Sequence, residues 1–223
     1  MSRKVLLAAL LALLPAPVLA QAAPAPVVRP PARPVPVADV YFQGGAVIRV
    51  QGPAGTDDYA YGLADMVTSP AGDLKALQWC WESLKFSDCQ VQLVTPRAAP
   101  VTLKNSSVRQ LLFTPDGQWL VGMGDNTLRL WNPQQPEAAP RTKVLNMNGL
   151  ERLEVAGKHI CVTGRDRLYA VYTVLSWPDL KVVREQRVQL LKDASTTTRR
   201  GNTETTILKY QQVGSFTPPI CGA

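Results

Sequence analysis

The chain contains one histidine, His159, in the stretch "KHICV". A Ser-His-Asp triad, a Cys-His pair or a His-containing zinc site would have to use it. The alternation of "KHICV" puts His159 on a strand, where packing alone accounts for an imidazole. Carboxylates are adjacent only at Asp57-Asp58, inside the turn-forming "QGPAGTDD". Neighbouring side chains diverge there, whereas glycosidase chemistry needs two carboxyls facing one another about 5–9.5 Å apart. Calcium binding by "GTDDY" is a generic possibility for any acidic loop. The sequence has no G-x-S-x-G, no S-x-x-K and no Gly-rich phosphate loop leading into a helix, so the common nucleophile and phosphate devices are missing. Four cysteines, Cys80, Cys89, Cys161 and Cys221, include no C-x-x-C pair. They read as two disulfides among three possible pairings, with Cys80–Cys89 and Cys161–Cys221 the nearest-neighbour solution. No cofactor and no metal site are implied.

Two segments precede the part that must position these residues. "MSRKVLLAALLALLPAPVLA" carries Arg3 and Lys4, an apolar run from Val5 to Leu14, and Pro15 and Pro17 before Val18-Leu19-Ala20. That is the pattern of an export signal cut after Ala20, and its apolar run is about half of the roughly 20 residues a membrane span needs. No transmembrane segment is expected once it is cleaved. Residues 21–38, "QAAPAPVVRPPARPVPVA", hold six prolines and no acidic or aromatic residue, the composition of an extended tether. Residues 39–223 are left as the folded domain. "VYFQGG" at 40–45 resembles part of a viral-protease tag site, but Ala38 stands where that site needs an acid, so it reads as native strand.

With the leader removed, 22 basic residues face 17 acidic ones, a net charge near +5. An exported protein can use such a charge against anionic envelope polymers. The basic spots are Arg184 with Arg187, and Arg199-Arg200 in "DASTTTRRGNTETT". Without interleaved aromatics they do not suggest nucleic-acid binding, and the second reads as a solvated loop.

From Asp39 onward the pattern has period two. "AVIRVQ" (46–51), "QVQLV" (90–94), "TLRLW" (127–131) and "RVQLL" (187–191) alternate apolar with polar residues, as strands with one buried face do. Gly, Pro, Asn and Asp punctuate them in "QGPAGTDD", "SPAGD", "TPDGQ", "GDN", "NPQQP" and "SWPDL", each a turn signal. The pattern also repeats. A shift of 40 residues places Phe113 on Leu153, Gly117 on Gly157, Leu120 on Ile160 and Leu128 on Leu168. In the other direction "TSPAGDLKAL" (68–77) overlays "FTPDGQWLVG" (113–122), and "VQLV" (91–94) overlays "LRLW" after an eight-residue insertion. A period near 40 with four short strands is the measure of a β-propeller blade.

"VRQLLFTPDGQWLVGMGDNTLRLWN", Val108 to Asn132, resembles a WD-repeat, with weaker repeats on either side. The resemblance implies an all-β, β-propeller-like fold and assigns Asp125, in the turn between second and third strands, and Trp131, ending the third, to the network that stiffens a blade. The family's hydroxyl on the second strand is replaced by Gly122 and Met123, its closing Asp by Asn132, and its His is missing near Asn105. The length after the tether holds three to four blades. A four-bladed ring, blades completed by another chain in an oligomer, and an open partial propeller with its ends covered by the N- and C-terminal segments all fit; the last is preferred, with closure from "VYFQGGAVIRV" or "TILKYQQVGSF".

Function is then read from the surface. Cys80 and Cys89 bracket "WESLKFSD", and Trp81, Lys85 and Phe86 within it are the candidate binding residues, aromatic anchors beside a charge; packing of Trp81 and Phe86 over the neighbouring blade edge is the competing use. The resulting expectation is an exported, non-enzymatic binding or scaffold protein of the periplasm or cell surface, docking an envelope protein or glycan. The alternative is an envelope polysaccharide- or peptide-processing hydrolase or lyase that assembles carboxylates from several loops.

Overall fold

The computed structural model describes residues 35–56, 59–82 and 87–222. They are all-β. Three four-stranded antiparallel sheets follow one another along the chain, each a meander in which sequence neighbours pair. The first two strands form a hairpin, β1 (Val37–Tyr41) with β2 (Val47–Gln51). The first sheet is β3 (Gly62–Thr68), β4 (Lys75–Glu82), β5 (Ser87–Thr95) and β6 (Ala98–Thr102). The second is β7 (Gln110–Phe113), β8 (Leu120–Gly124), β9 (Thr127–Trp131) and β10 (Arg141–Val144). The third is β11 (Gly149–Ala156), β12 (His159–Asp166), β13 (Tyr169–Ser176) and β14 (Lys181–Gln189). The first strands approach one another, β7 lying against both β3 and β11. That is the radial arrangement of propeller blades, with first strands innermost.

Strand alternation decides which residues meet between blades. In β8 and β9, Leu120 and Trp131 point one way and Val121, Met123, Leu128 and Leu130 the other, because successive side chains leave opposite faces. The former join Ala76, Val91 and Leu93 of the first blade, and the latter join Leu153, Ile160, Val162 and Val171 of the third. The middle blade is therefore apolar on both faces. Trp79, Trp131 and Tyr172 are the largest fully buried side chains. An aromatic of this size buries roughly 150–250 Å², or on the order of 4–6 kcal/mol at about 25 cal/mol/Å² before entropy is counted.

The fan is open, and both end faces are covered. Val40, Phe42 and Val50 of the β1–β2 hairpin pack on Leu77, Trp79 and Val94 of the first blade, and the Gly52 amide donates to the Pro36 carbonyl at 2.8 Å. β1 thus begins two residues inside the stretch read as tether. At the other end, the Val213 amide donates to the Leu190 carbonyl, and Cys221 is bonded to Cys161 on the outer face of the third blade. Cys161, Thr163, Ala170 and Tyr172, which alternate to that face, are all buried.

The sequence expectations need three adjustments. "DASTTTRRGNTETT" is no loop: it contains the hairpin β16 (Thr196–Arg200) and β17 (Thr203–Ile207), which continues the shorter pair β15 (Leu191–Asp193) and β18 (Tyr210–Gln212). Consequently "RVQLL" spans two strands, and only the end of "TILKYQQVGSF" reaches the third blade, since Ile207 and Leu208 are exposed. The repeat period also lengthens. Gly117 and Gly157, 40 apart, both take positive φ (70° and 54°) in the first turn of their blades, but Asp125 (φ 51°) corresponds to Arg167 (φ 50°), 42 apart. The first two strands of the third blade are longer than those of the second. Among the described residues no helix is long and apolar enough to cross a membrane.

Candidate interaction surface

Cys80 and Cys89 stand directly opposite in the β4–β5 ladder and are bonded to one another. The hairpin continues past them: Trp81 pairs with Asp88, and Glu82 with Ser87. These described residues of the insertion thus extend two core strands past the bridge. Trp81 is half-buried and stacks on Tyr59 with ring centroids 4.0 Å apart and planes 14° from parallel. Tyr59 meets Tyr61 edge-on at 5.9 Å. The Tyr61 hydroxyl donates to Asp88 Oδ2 at 3.0 Å and accepts from Gln90 Nε2 at 3.3 Å. Burial, reinforced by the Asp88 hydrogen bond, raises the Tyr61 phenol above its ordinary pKa. The buried Trp81 Nε1 finds no acceptor among the described residues. Lys85 and Phe86 lie outside the described residues, as do Asp57 and Asp58.

Beside the bridge, Gly62, Leu63, Asp65, Gln78 and Arg109 line a groove of about 720 Å³ where the first two blades meet. Its base is fixed by Gln78, a buried amide that donates to the Val108 carbonyl at 2.5 Å and so ties the first blade to the second.

The opposite, turn-bearing ends of the same two blades flank a second groove of about 470 Å³, lined by Asp73, Thr95, Asp116, Trp119, Asn132 and Gln134 among others. Both carboxylates serve their own turns. Asp73 Oδ1 accepts from the Ser69 hydroxyl at 2.9 Å; Asp116 Oδ1 accepts from the Thr114 hydroxyl at 2.7 Å and the Gln118 amide at 3.1 Å. Asn132 Oδ1 likewise accepts the Gln134 amide at 2.9 Å. This lining offers hydrogen bonds on a rigid floor.

Trp131 and Asp125 have separate surroundings. The Trp131 indole is buried, and its Nε1 donates to the Lys104 carbonyl at 2.9 Å. Its ring lies over Gly122, where an added Cβ would sit 2.8 Å from Cζ3. Asp125 occupies a left-handed turn position, its side chain 86% exposed and its Oδ1 3.8 Å from Arg109 Nε. Sequence reasoning missed the Lys104 carbonyl and Arg109. A backbone acceptor has no residue type to betray it, and Arg109 immediately precedes β7, the strand that pairs with β8.

The remaining sequence candidates do not converge. His159 opens β12, opposite Ala156 and Ser176, half-buried at a blade end. The cysteines form Cys80–Cys89 and Cys161–Cys221, the oxidised state of a non-reducing compartment. Among the described residues no group of three or more His, Cys, Asp or Glu is placed to hold a metal ion.

Neither a family model nor a curated protein sequence matches the chain. Similar solved structures include the β-propeller domain of the Trilobed protease from Pyrococcus furiosus, described as having an open velcro topology. It is 12% identical, the match covers 70% of this chain and 56% of that one, and the TM-score is 0.46. A eukaryotic initiation factor gives 11% identity, 68% and 42% coverage and a TM-score of 0.48. The AfRom2 CNH domain gives 14%, 70% and 54%, and 0.42. The chain spans about half the length of these structures. Likeness at this level carries no argument about function, and the propeller-like description rests on the three blades themselves.

Proposed function

We propose that this is an exported, non-enzymatic binding or scaffold protein of the cell envelope, in the periplasm or at the cell surface, that docks a protein or glycan partner through the far end of the β4–β5 hairpin. The observation that carries the reading is the aromatic group there: Trp81 stacked on Tyr59, held on two strands cross-linked by Cys80–Cys89. Trp and Tyr on a rigid base supply contact area at low entropic cost, and such residues dominate binding energies. Lys85 and Phe86 extend the same hairpin in sequence. Oxidised cysteines and the leader pattern support export. The blades would act as the platform, with the buried Trp131 contributing stiffness and no chemistry.

The test is capture of envelope components by the mature protein and by its Trp81→Ala/Phe86→Ala variant. The variant is expected to lose the partner while keeping its disulfides and β-sheet circular dichroism. Full capture by a folded variant would remove this surface from consideration. Recovery of the protein from the exporting cell with Gln21 as its first residue would support the compartment.

A further inference from the structure

We infer that the C-terminal ribbon, Leu191 to Gln212, with the adjoining strand β14, binds an extended polyanionic polysaccharide. The inference uses residues other than those of the Trp81 surface.

The ribbon is a paired but solvent-bound structure. Every residue of β16 and β17 is exposed. A lone two-stranded ribbon in water is marginal at best, so one that gains nothing from a core has its use in contact with something else. Ten residues lead from Leu191 to the turn at Gly201, a reach of about 30 Å at roughly 3.3 Å per residue. That matches an elongated ligand better than a compact one.

Charge gives the chemistry of that ligand. Residues 35–180 hold 13 Lys/Arg against 14 Asp/Glu, a net −1, whereas residues 181–212 hold seven against three, a net +4. All of the excess positive charge of the folded part therefore lies on β14 and the ribbon. Several arginines of the blades are ion-paired, Arg49 with Asp39, Arg141 with Asp179, Arg152 with Glu154 and Arg165 with Glu151, and on β14 itself Arg187 pairs with Asp166. Lys192, Arg199, Arg200 and Lys209 form no ion pair among the described residues, even though Arg199 stands opposite Glu204 in the ladder. Uncompensated cations along an extended strand pair hold a polyanion by releasing its counterions.

The class of polyanion follows from what accompanies the charge. β16 and β17 contribute six threonines; the Thr197 and Thr206 hydroxyls bond each other at 3.0 Å, and the others can meet hydroxyl-rich groups. The ribbon's one aromatic residue, Tyr210, lies in β18, and none occurs between 181 and 209, so nucleic-acid bases find no series of stacking platforms along it. Arg199 and Arg200 alternate to opposite faces of the ribbon, so neither face is the single cationic side that a flat anionic membrane requires. A flexible, carboxylated or sulfated sugar chain can wrap both.

The mature full-length protein should be titrated with fluorescently labelled polygalacturonate at 50 and 300 mM salt, with neutral dextran, single-stranded DNA and phosphatidylglycerol vesicles compared at the lower salt. We expect salt-sensitive binding to polygalacturonate and none to dextran. In the Lys192→Gln/Arg199→Gln/Arg200→Gln/Lys209→Gln variant, affinity at low salt should fall about tenfold or more, and the slope of log affinity against log salt by about half, as lost contacts release fewer counterions. A second variant replacing residues 195–208 by Asn-Gly guards against local rearrangement and should lower affinity and salt slope in the same direction but by less, since it keeps Lys192 and Lys209. Unchanged affinity in both variants, no binding at low salt, or equal binding to dextran would overturn the proposal. So would DNA or vesicles that bind as tightly as polygalacturonate through the same four residues. Partner capture through Trp81 is a separate readout, so the two readings fail separately.

Discussion

Gly122 departs from the repeat pattern for a local reason, whereas Asp125 keeps the pattern's residue type in surroundings that leave it exposed. A hydroxyl such as a WD-repeat carries on its second strand has no room here, because the Trp131 ring occupies the space above Gly122. Restoring it as Gly122→Ser is expected to destabilise the protein by about 1–3 kcal/mol, the usual cost of overpacking, measured by urea unfolding. Asp125 is exposed and pairs only loosely with Arg109, and Asn tolerates the same left-handed backbone. Asp125→Asn should therefore change stability by less than about 0.5 kcal/mol; a loss several times larger would mean that the aspartate belongs to a blade-stiffening network after all. The buried phenols set an alkaline limit. Burial, then Asp88 for Tyr61 and Glu154 for Tyr172, raises both above their ordinary value of 10.0. Their contribution is intact below the unfolded value and is lost as pH climbs through the raised folded ones. Tyr61→Phe/Tyr172→Phe should remove the late component of a tyrosinate absorbance titration and make the alkaline fall in stability shallower.

At the scale of elements, the two disulfides do different work. Cys80–Cys89 joins strands already paired and spans nine residues, whereas Cys161–Cys221 spans 60 and fixes a tail to the outer face of the third blade. In the chain-entropy model these closures contribute about 2.5 and about 4 kcal/mol. Cys161→Ser/Cys221→Ser should accordingly cost more in denaturant unfolding than Cys80→Ser/Cys89→Ser. The reverse order would show that the hairpin end, with its Trp81–Tyr59 stack, depends on its bridge more than loop length implies.

At the scale of the molecule, the blades form a row with two ends, and each end face is hidden by a terminal segment instead of a further blade. An uncovered apolar sheet face invites association. Truncation after Gln212 should expose Tyr172 and its neighbours, seen as binding of an apolar-surface dye and a lowered melting temperature. Replacing residues 195–208 by Asn-Gly removes as much chain but no buried apolar surface, and should leave the melting temperature within about 2 °C. The contrast separates a segment that completes the core from one that leaves it.

Alternating strands, turn glycines and the approximate blade period are local properties, and the sequence alone determined them. Gly117 and Gly157 must be left-handed turn residues wherever their blades sit, and "TLRLW" must have two unlike faces. Cysteine spacing also narrowed the pairing, since Cys80 and Cys89 flank one hairpin. Tertiary structure alone decided which part of the tail reaches the third blade, which carbonyl holds Trp131, and that the Thr-rich stretch forms a paired ribbon. Those outcomes depend on contacts between residues distant in the chain or on backbone groups that every residue shares, and neither leaves a mark in residue type. The ribbon lacked a signal for a further reason: strand periodicity reports a buried face, and a two-stranded ribbon exposed on both sides has none to report.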